Sequence, residues 1–351
     1  MGRISGPYGR REHDVDVLVV GYGRAGRAAV RAAHAAGRTV LAVDAGQAGR
    51  TLLPPARGAH GTPEDRSASE GPQEEVLPAR AHFLGPHHVE LRPLGVDVAT
   101  GETEVHARRV IIATGTCPVY PEATGLADTR FMIGVGAHRL VPSDVPLGPT
   151  GGPVRAVATL RAGNGPLPFE LSDLADRSVV VLGAGRTGCS VAWALAVLGA
   201  QVTLVEAAER VLPRLDPGLS AAAAQALQEA DVRVMLRARA TGLAPTLDEG
   251  AWIGTQKAGD VAAEHLVLAT GHRPFTSGLD LQSAGVRLSP SGAVPVDGEC
   301  RTTGSGVLAA GEVTGCSRET AAPMGLFAGT CVAHGRFGRR PAWSEPLLPV
   351  T

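Results

Sequence analysis

Residues 16–44 read DVLVVGYGRAGRAAVRAAHAAGRTVLAVD, and their order decides the fold. A short apolar strand at 17–20 turns through Gly21, Gly23 and Gly26 into an alanine-rich helix, and a second strand at 39–43 runs into Asp44. Strand, G-x-G-x-x-G, helix, strand and acid in that sequence form the dinucleotide-binding fingerprint in its proper context. Each residue type has a physical task. Gly21 makes the tight turn, Gly23 lets the backbone approach a pyrophosphate, and Gly26 with Ala29 and Ala33 lets the helix lie close on the strand. The helix N-terminus offers unpaired N–H groups and partial positive charge to the phosphates. Asp44 stands about twenty residues after the turn, where an acid accepts hydrogen bonds from a ribose diol.

The unit recurs at 178–206, SVVVLGAGRTGCSVAWALAVLGAQVTLVE. A strand at 179–182 leads to Gly183, Gly185 and Gly188, a helix to Leu198, and a strand at 202–205 that ends in Glu206. Two complete units imply two dinucleotide sites, or a duplicated fold with one silent site. Glu206 disfavours a 2′-phosphate by like charge and argues for NAD(H) over NADP(H), a preference that Arg210 and Arg214 moderate.

At 351 residues the chain can bury two cores. Its net charge of −1 gives no reason to expect nucleic acid or an anionic membrane as partner. The apolar runs are strand-sized, so no membrane span is expected, and the first fourteen residues lack the apolar core of a signal peptide. Five cysteines, at 117, 189, 300, 316 and 331, are scattered without a C-x-x-C pair. That pattern suits a reducing cytoplasm with no disulfide framework.

Between the units the pattern is looser. Residues 45–78 are rich in Gly, Pro and Ala and read as loop. Residues 81–91 and 102–110 read as short strands of a small sheet, and 110–113 as an apolar strand ending in Thr114–Gly115. Residues 127–171 read as an irregular region. A helix is expected around 217–230, a strand at 232–235, a strand within 307–315 that ends in Gly311–Glu312, and a short helix from about Ala321. His87–His88 reads as a solvated pair, and no metal site is expected. Cys189 and Cys316 lie beside the two glycine-rich turns and read as small packing residues, with a catalytic thiol as the alternative.

The order GYGRAG…D, IIATG, GAGRTG…E, LATGHRP and AAGEVTG resembles that of the pyridine nucleotide–disulfide oxidoreductases, the mercuric reductase and dihydrolipoamide dehydrogenase group. The resemblance runs from about Asp14 to Gly338. It implies an α/β fold with two Rossmann-like dinucleotide-binding domains: an FAD domain from 14–126 and 265–345, the irregular 127–171, and an NAD(P) domain at 172–264. It implies FAD on Gly21, Gly23, Gly26, Asp44, Gly49, Thr51, Thr114, Gly115, Gly311 and Glu312. A nicotinamide dinucleotide falls to Gly183, Gly185, Gly188 and Glu206, with NAD(H) favoured. Glu312 stands where the family places an acid on the flavin's ribityl chain.

The departures carry as much information. The family's G-G-T-C-x(4)-C segment corresponds to GRTLLPPARG at 49–58, where Leu52 and Arg57 replace the two cysteines. Without thiols there is no dithiol relay, and Pro54 and Pro55 would break the helix that normally carries them. Arg50 and Arg57 could face flavin or substrate, or be solvated loop charges. Ser190 replaces an acid that often helps seat the nicotinamide, and the family's C-terminal interface domain, with its His–Glu base and dimer contact, has no counterpart here. The expectation is therefore an FAD-dependent NAD(P)H oxidoreductase acting on a small organic molecule rather than a disulfide. The alternative is a redox-silent flavoprotein fold that catalyses cyclisation, isomerisation or dehydration of a secondary metabolite, or only binds a ligand; secondary metabolism is the expected setting. Catalytic residues are not identifiable from the sequence.

Overall fold

The computed structural model describes residues 3–4, 11–45, 76–94, 103–124, 132–134, 140–146, 153–156, 160–162, 174–246, 250–256, 258–316 and 320–334. The chain divides into an outer unit, Met1–Cys117 with Arg273–Thr351, and an inner unit, Pro118–His272.

A seven-stranded sheet organises the outer unit. Arg11–Val20 lies parallel between Val40–Asp44 and Thr103–Ile112, and Val307–Ala309 runs parallel to Thr103–Ile112. Val76–Gly85 pairs parallel with Val40–Asp44, then antiparallel with His88–Pro93, which pairs antiparallel with Thr103–Ile112. Leu18 and Val20 belong to one core with Phe83, Val89 and Val105. Val17 and Val19 belong to another, under the helices Arg24–Ala35 and Ala321–His334. A strand covered on both faces must be apolar at every position, which explains the unbroken run at 17–20.

The two helices of that second core touch through their backbones. A Cβ at Gly325 would overlap the Ala25 carbonyl, and one at Gly329 would lie 2.5 Å from the Ala29 carbonyl oxygen. One helical turn separates the two glycines, so both lie on the face turned to Ala25 and Ala29.

The inner unit holds a six-stranded sheet in the order Leu160–Ala162, Met132–Gly134, His265–Leu268, Ser178–Leu182, Gln201–Val205, Arg233–Met235. All neighbours are parallel except the first pair. Val179 and Val181 pack with the helix Arg186–Val197, while Val180 and Leu182 pack with the antiparallel strands Ala240–Pro245, Ala251–Thr255 and Val261–Ala263.

Several sequence expectations are corrected. Residues 81–91 and 102–110 are part of the seven-stranded sheet, and 102–110 and 110–113 form one strand, Thr103–Ile112. In its first half buried Val105 and Ala107 alternate with exposed His106 and Arg108; its last residues are buried throughout. One face is covered first, then both, and the change of period reads as two elements. Residues 127–171 include Met132–Gly134 and Leu160–Ala162, which extend the inner sheet, and a hairpin of Leu140–Pro146 with Pro153–Ala156. The boundary drawn at 265 falls inside the inner unit, because His265–Leu268 pairs with Val179–Leu182. Among the described residues no helix is long and apolar enough to cross a membrane.

Glu264 fastens the start of the inner sheet. Its carboxylate accepts from the Ser178 N–H at 2.8 Å, from the Ser178 hydroxyl at 3.1 Å and from Arg177 Nη1 at 2.7 Å. The Ser178 N–H, then Arg177, hold its pKa down at about 2. A carboxyl whose folded pKa is depressed stabilises the fold above its unfolded pKa and loses that contribution as pH falls through the folded value. Glu264→Gln is therefore expected to lower the melting temperature at neutral pH and to flatten its decline between about pH 4.5 and 2, as followed by circular dichroism. An unchanged acid profile would show that this contact does not contribute.

Candidate cofactor-binding sites

Each glycine turn divides its glycines between two tasks. In the outer unit Gly21 has φ +98°, and a Cβ there would lie 2.5 Å from the Ala113 carbonyl oxygen; a Cβ at Gly26 would overlap the Gly21 carbonyl. Backbone thus lies directly on backbone. Gly23 differs: its φ is −75° and a Cβ would meet nothing within 4 Å. The inner turn repeats this pattern. Gly183 has φ +103° with a Cβ position 2.5 Å from the Ala269 carbonyl oxygen, Gly188 presses on the Gly183 carbonyl, and Gly185 faces open space.

Gly23 and Gly185 also cap the two helices. Neither Arg24–Ala35 nor Arg186–Val197 has a side-chain N-cap hydrogen bond or an acid in its first turn. The helix Pro217–Glu229 shows the contrast, because Asp216 accepts from the Gly218 N–H at 2.7 Å. The fingerprint helices therefore keep their first N–H groups for an anion beside the open glycine, the provision a dinucleotide pyrophosphate requires.

The acids do more than the sequence suggested. Asp44 Oδ2 accepts from the Tyr22 N–H at 2.8 Å. Glu206 Oε2 accepts from the Ala184 N–H at 2.6 Å and its Oε1 from the Ala208 N–H at 2.8 Å. Tyr22 and Ala184 occupy the same place, between the first two glycines. Each acid thus pins its own turn. The signal was present in the repeated spacing, but a fingerprint read for ligand contacts does not reveal an internal one.

Thr114 and Gly115 serve the fold. The Thr114 hydroxyl donates to the Phe275 carbonyl at 2.6 Å, and the Phe275 N–H donates to the carbonyl of Gly115, whose φ is +67°. Gly311, at φ +85°, runs against the start of the first helix, where its Cβ would come within 2.7 Å of the Ala25 Cβ. Half-buried Glu312 follows in the turn Glu312–Thr314. The outer unit therefore gathers Gly21, Gly23, Gly26, Asp44, Gly311 and Glu312 around one helix start. Gly49, Thr51, Leu52 and Arg57 lie outside the described residues.

Burial decides the chemistry of three cysteines. It pushes the Cys189 thiol up to about 11, Cys300 to about 12 and Cys331 to about 11. Cys189 Sγ also donates to the Ala184 carbonyl at 3.2 Å. Such thiols are not thiolates at neutral pH and are poor nucleophiles. Cys189 is a packing residue behind the second turn.

The profile of the pyridine nucleotide-disulphide oxidoreductases matches residues 15–327, and the chain belongs to that family. Relatives include a dihydrolipoyl dehydrogenase of Bacillus subtilis, 33% identical over 39% of this chain and 30% of its own length. An NAD(P)H dehydrogenase (quinone) of Mycobacterium tuberculosis is 30% identical over 52% of this chain and 35% of its own. The chain thus spans about a third of the length of these relatives. The thioredoxin reductase of T. acidophilum shares the fold at TM-score 0.60 and 20% identity, over 92% of this chain and 98% of that one. The family's cofactors are FAD and NAD(P)H, and the two open, acid-pinned turns fit two dinucleotides.

Asp44→Ala is expected to weaken FAD binding by about 1–3 kcal/mol through the lost ribose contact. It also leaves the Tyr22 N–H without this acceptor, so the cofactor-free protein should melt lower. Flavin fluorescence titration and thermal unfolding read the two effects separately. Unchanged stability of the cofactor-free protein would contradict the pinning role.

Proposed function

We propose that the chain is an FAD-dependent NAD(P)H oxidoreductase of two Rossmann-like domains, acting on a small organic acceptor without a dithiol relay. The observation that carries this reading is the pair of matched turns: each has an acid on its N–H, an open middle glycine and an uncapped helix. FAD, when bound, supplies hydride acceptance and donation. Gly23 and the first N–H groups of Arg24–Ala35 would receive its pyrophosphate, Asp44 its ribose, and Glu312 its ribityl chain. Gly185 and Glu206 would receive the nicotinamide dinucleotide in the same manner.

Two features support an acceptor other than a disulfide. Leu52 and Arg57 occupy the positions of the family's thiol pair, and burial disfavours the thiolates of Cys189, Cys300 and Cys331. The quinone-reducing relative is consistent with an organic acceptor. NADH is favoured because Glu206 keeps a carboxylate where a 2′-phosphate would lie. Arg210 turns to the Pro213 carbonyl of its own loop, 3.0 Å away.

The test is anaerobic addition of NADH to the FAD-loaded chain. The flavin's visible absorption should bleach, and faster than with NADPH. Glu206→Ala should narrow that preference by roughly tenfold, equal to about 1.4 kcal/mol of removed like-charge repulsion. A flavin that stays oxidised with both nucleotides overturns the proposal in favour of a redox-silent scaffold.

A further inference from the structure

The outward face of the antiparallel strands in the outer unit collects three donors that no cofactor role uses. His88 on His88–Pro93 lies directly opposite His106 on Thr103–Ile112. Their rings stack with centroids 4.2 Å apart and planes 19° from parallel. Glu104, two residues before His106 on the same face, brings Oε2 to 2.9 Å from His88 Nε2. Donor atoms of all three residues lie within 4.8 Å of one another.

We propose that His88, Glu104 and His106 bind a divalent d-block cation, with zinc as its representative. Two imidazoles and a carboxylate are borderline ligands suited to such an ion, and three protein ligands leave a fourth tetrahedral position for water. Bonds of about 2.0–2.1 Å require donors roughly 3.3–3.5 Å apart. The rings are stacked as they stand, so coordination requires at least one imidazole to turn out of the stack until both nitrogen lone pairs converge on the ion, with the His88–Glu104 hydrogen bond replaced by two metal bonds.

The backbone beneath the site is fixed. Val89 and Val105 are fully buried and Ala107 nearly so, which places His88, Glu104 and His106 on the opposite face, where Glu90 is itself buried. His87 is excluded from the set: its Nδ1 lies 3.0 Å from the Ala107 carbonyl oxygen, and its ring stands against Gly306. The pair read from sequence as solvated is therefore split, with one histidine structural and the other in the cluster. The charge pattern also favours a cation. Glu90 lies directly across from Glu104, and like charges opposite each other destabilise a sheet. Arg92 holds Glu90, at 2.6 Å, and a cation between the histidines would add positive charge beside Glu104, which already meets His88. Asp14 is the register partner of His106 on the neighbouring strand.

Titration of the full chain with zinc chloride in a chelator-buffered series tests the site. One ion per chain is expected, with binding weakened by roughly two orders of magnitude in His88→Ala, His106→Ala and Glu104→Gln. His34→Ala, at an exposed position on the first helix, should leave it unchanged. The visible spectrum of the unaltered chain with cobalt(II) gives an independent reading that needs no variant: nitrogen and oxygen ligation shows no thiolate charge-transfer band. Absence of stoichiometric binding, binding indifferent to the three substitutions, or a thiolate band would each overturn the proposal.

Discussion

The contact of backbone with backbone beneath each glycine turn is the constraint on which the rest of the structure depends. Gly21 sits against the Ala113 carbonyl and Gly26 against the Gly21 carbonyl, and the same two contacts recur at Gly183 with Ala269 and at Gly188 with Gly183. No side chain can enter these spaces, so the helix start is fixed over the ends of two parallel strands. That placement puts each helix N-terminus beside an open glycine, an arrangement that favours an anion. The acids complete the device. Asp44 and Glu206 each take an N–H of the turn, which orders the loop and fixes the carboxylate beside it.

The outer unit extends this close packing to the C-terminal helix. Gly325 and Gly329 let Ala321–His334 rest on Ala25 and Ala29, so the first helix is held between its sheet and a second helix. Gly311 arrives at the same point. The part of the chain that carries Glu312 is thereby tied to the first glycine turn by small-residue packing. The cysteines fit the same economy of space: Cys189, Cys300 and Cys331 fill buried positions as small apolar residues.

Much of this was legible in the sequence because central parallel strands are covered on both faces. The runs at 17–20 and 179–182 are apolar without a break, and the glycines and acids follow at fixed spacing. Elements covered on one face were harder to read. Thr103–Ile112 changes from an alternating to a continuous pattern and looks like two strands. Met132–Gly134 and Leu160–Ala162 are too short to show a period among glycines and prolines. The contact of Gly325 and Gly329 with the first helix joins positions about three hundred residues apart in chain order, and the meeting of His88 with Glu104 and His106 depends on a hairpin register that local spacing does not reveal. Of the candidate site, the packing roles of Gly21 and Gly26 and the positions of the acids were visible, but the acids' hold on their own turns and the fold role of Thr114 were not.

The central claim is that the two open glycines are separate dinucleotide sites. Gly23 has ordinary φ and an unobstructed Cβ position, as does Gly185, so a larger residue at either is compatible with folding. Measurement of FAD and NADH bound per chain by equilibrium dialysis, in the unaltered protein and in Gly23→Val and Gly185→Val, tests the claim directly. One of each nucleotide should bind the unaltered chain; Gly23→Val should lose FAD alone and Gly185→Val should lose NADH alone. Retention of FAD by folded Gly23→Val, or of NADH by folded Gly185→Val, would contradict the account.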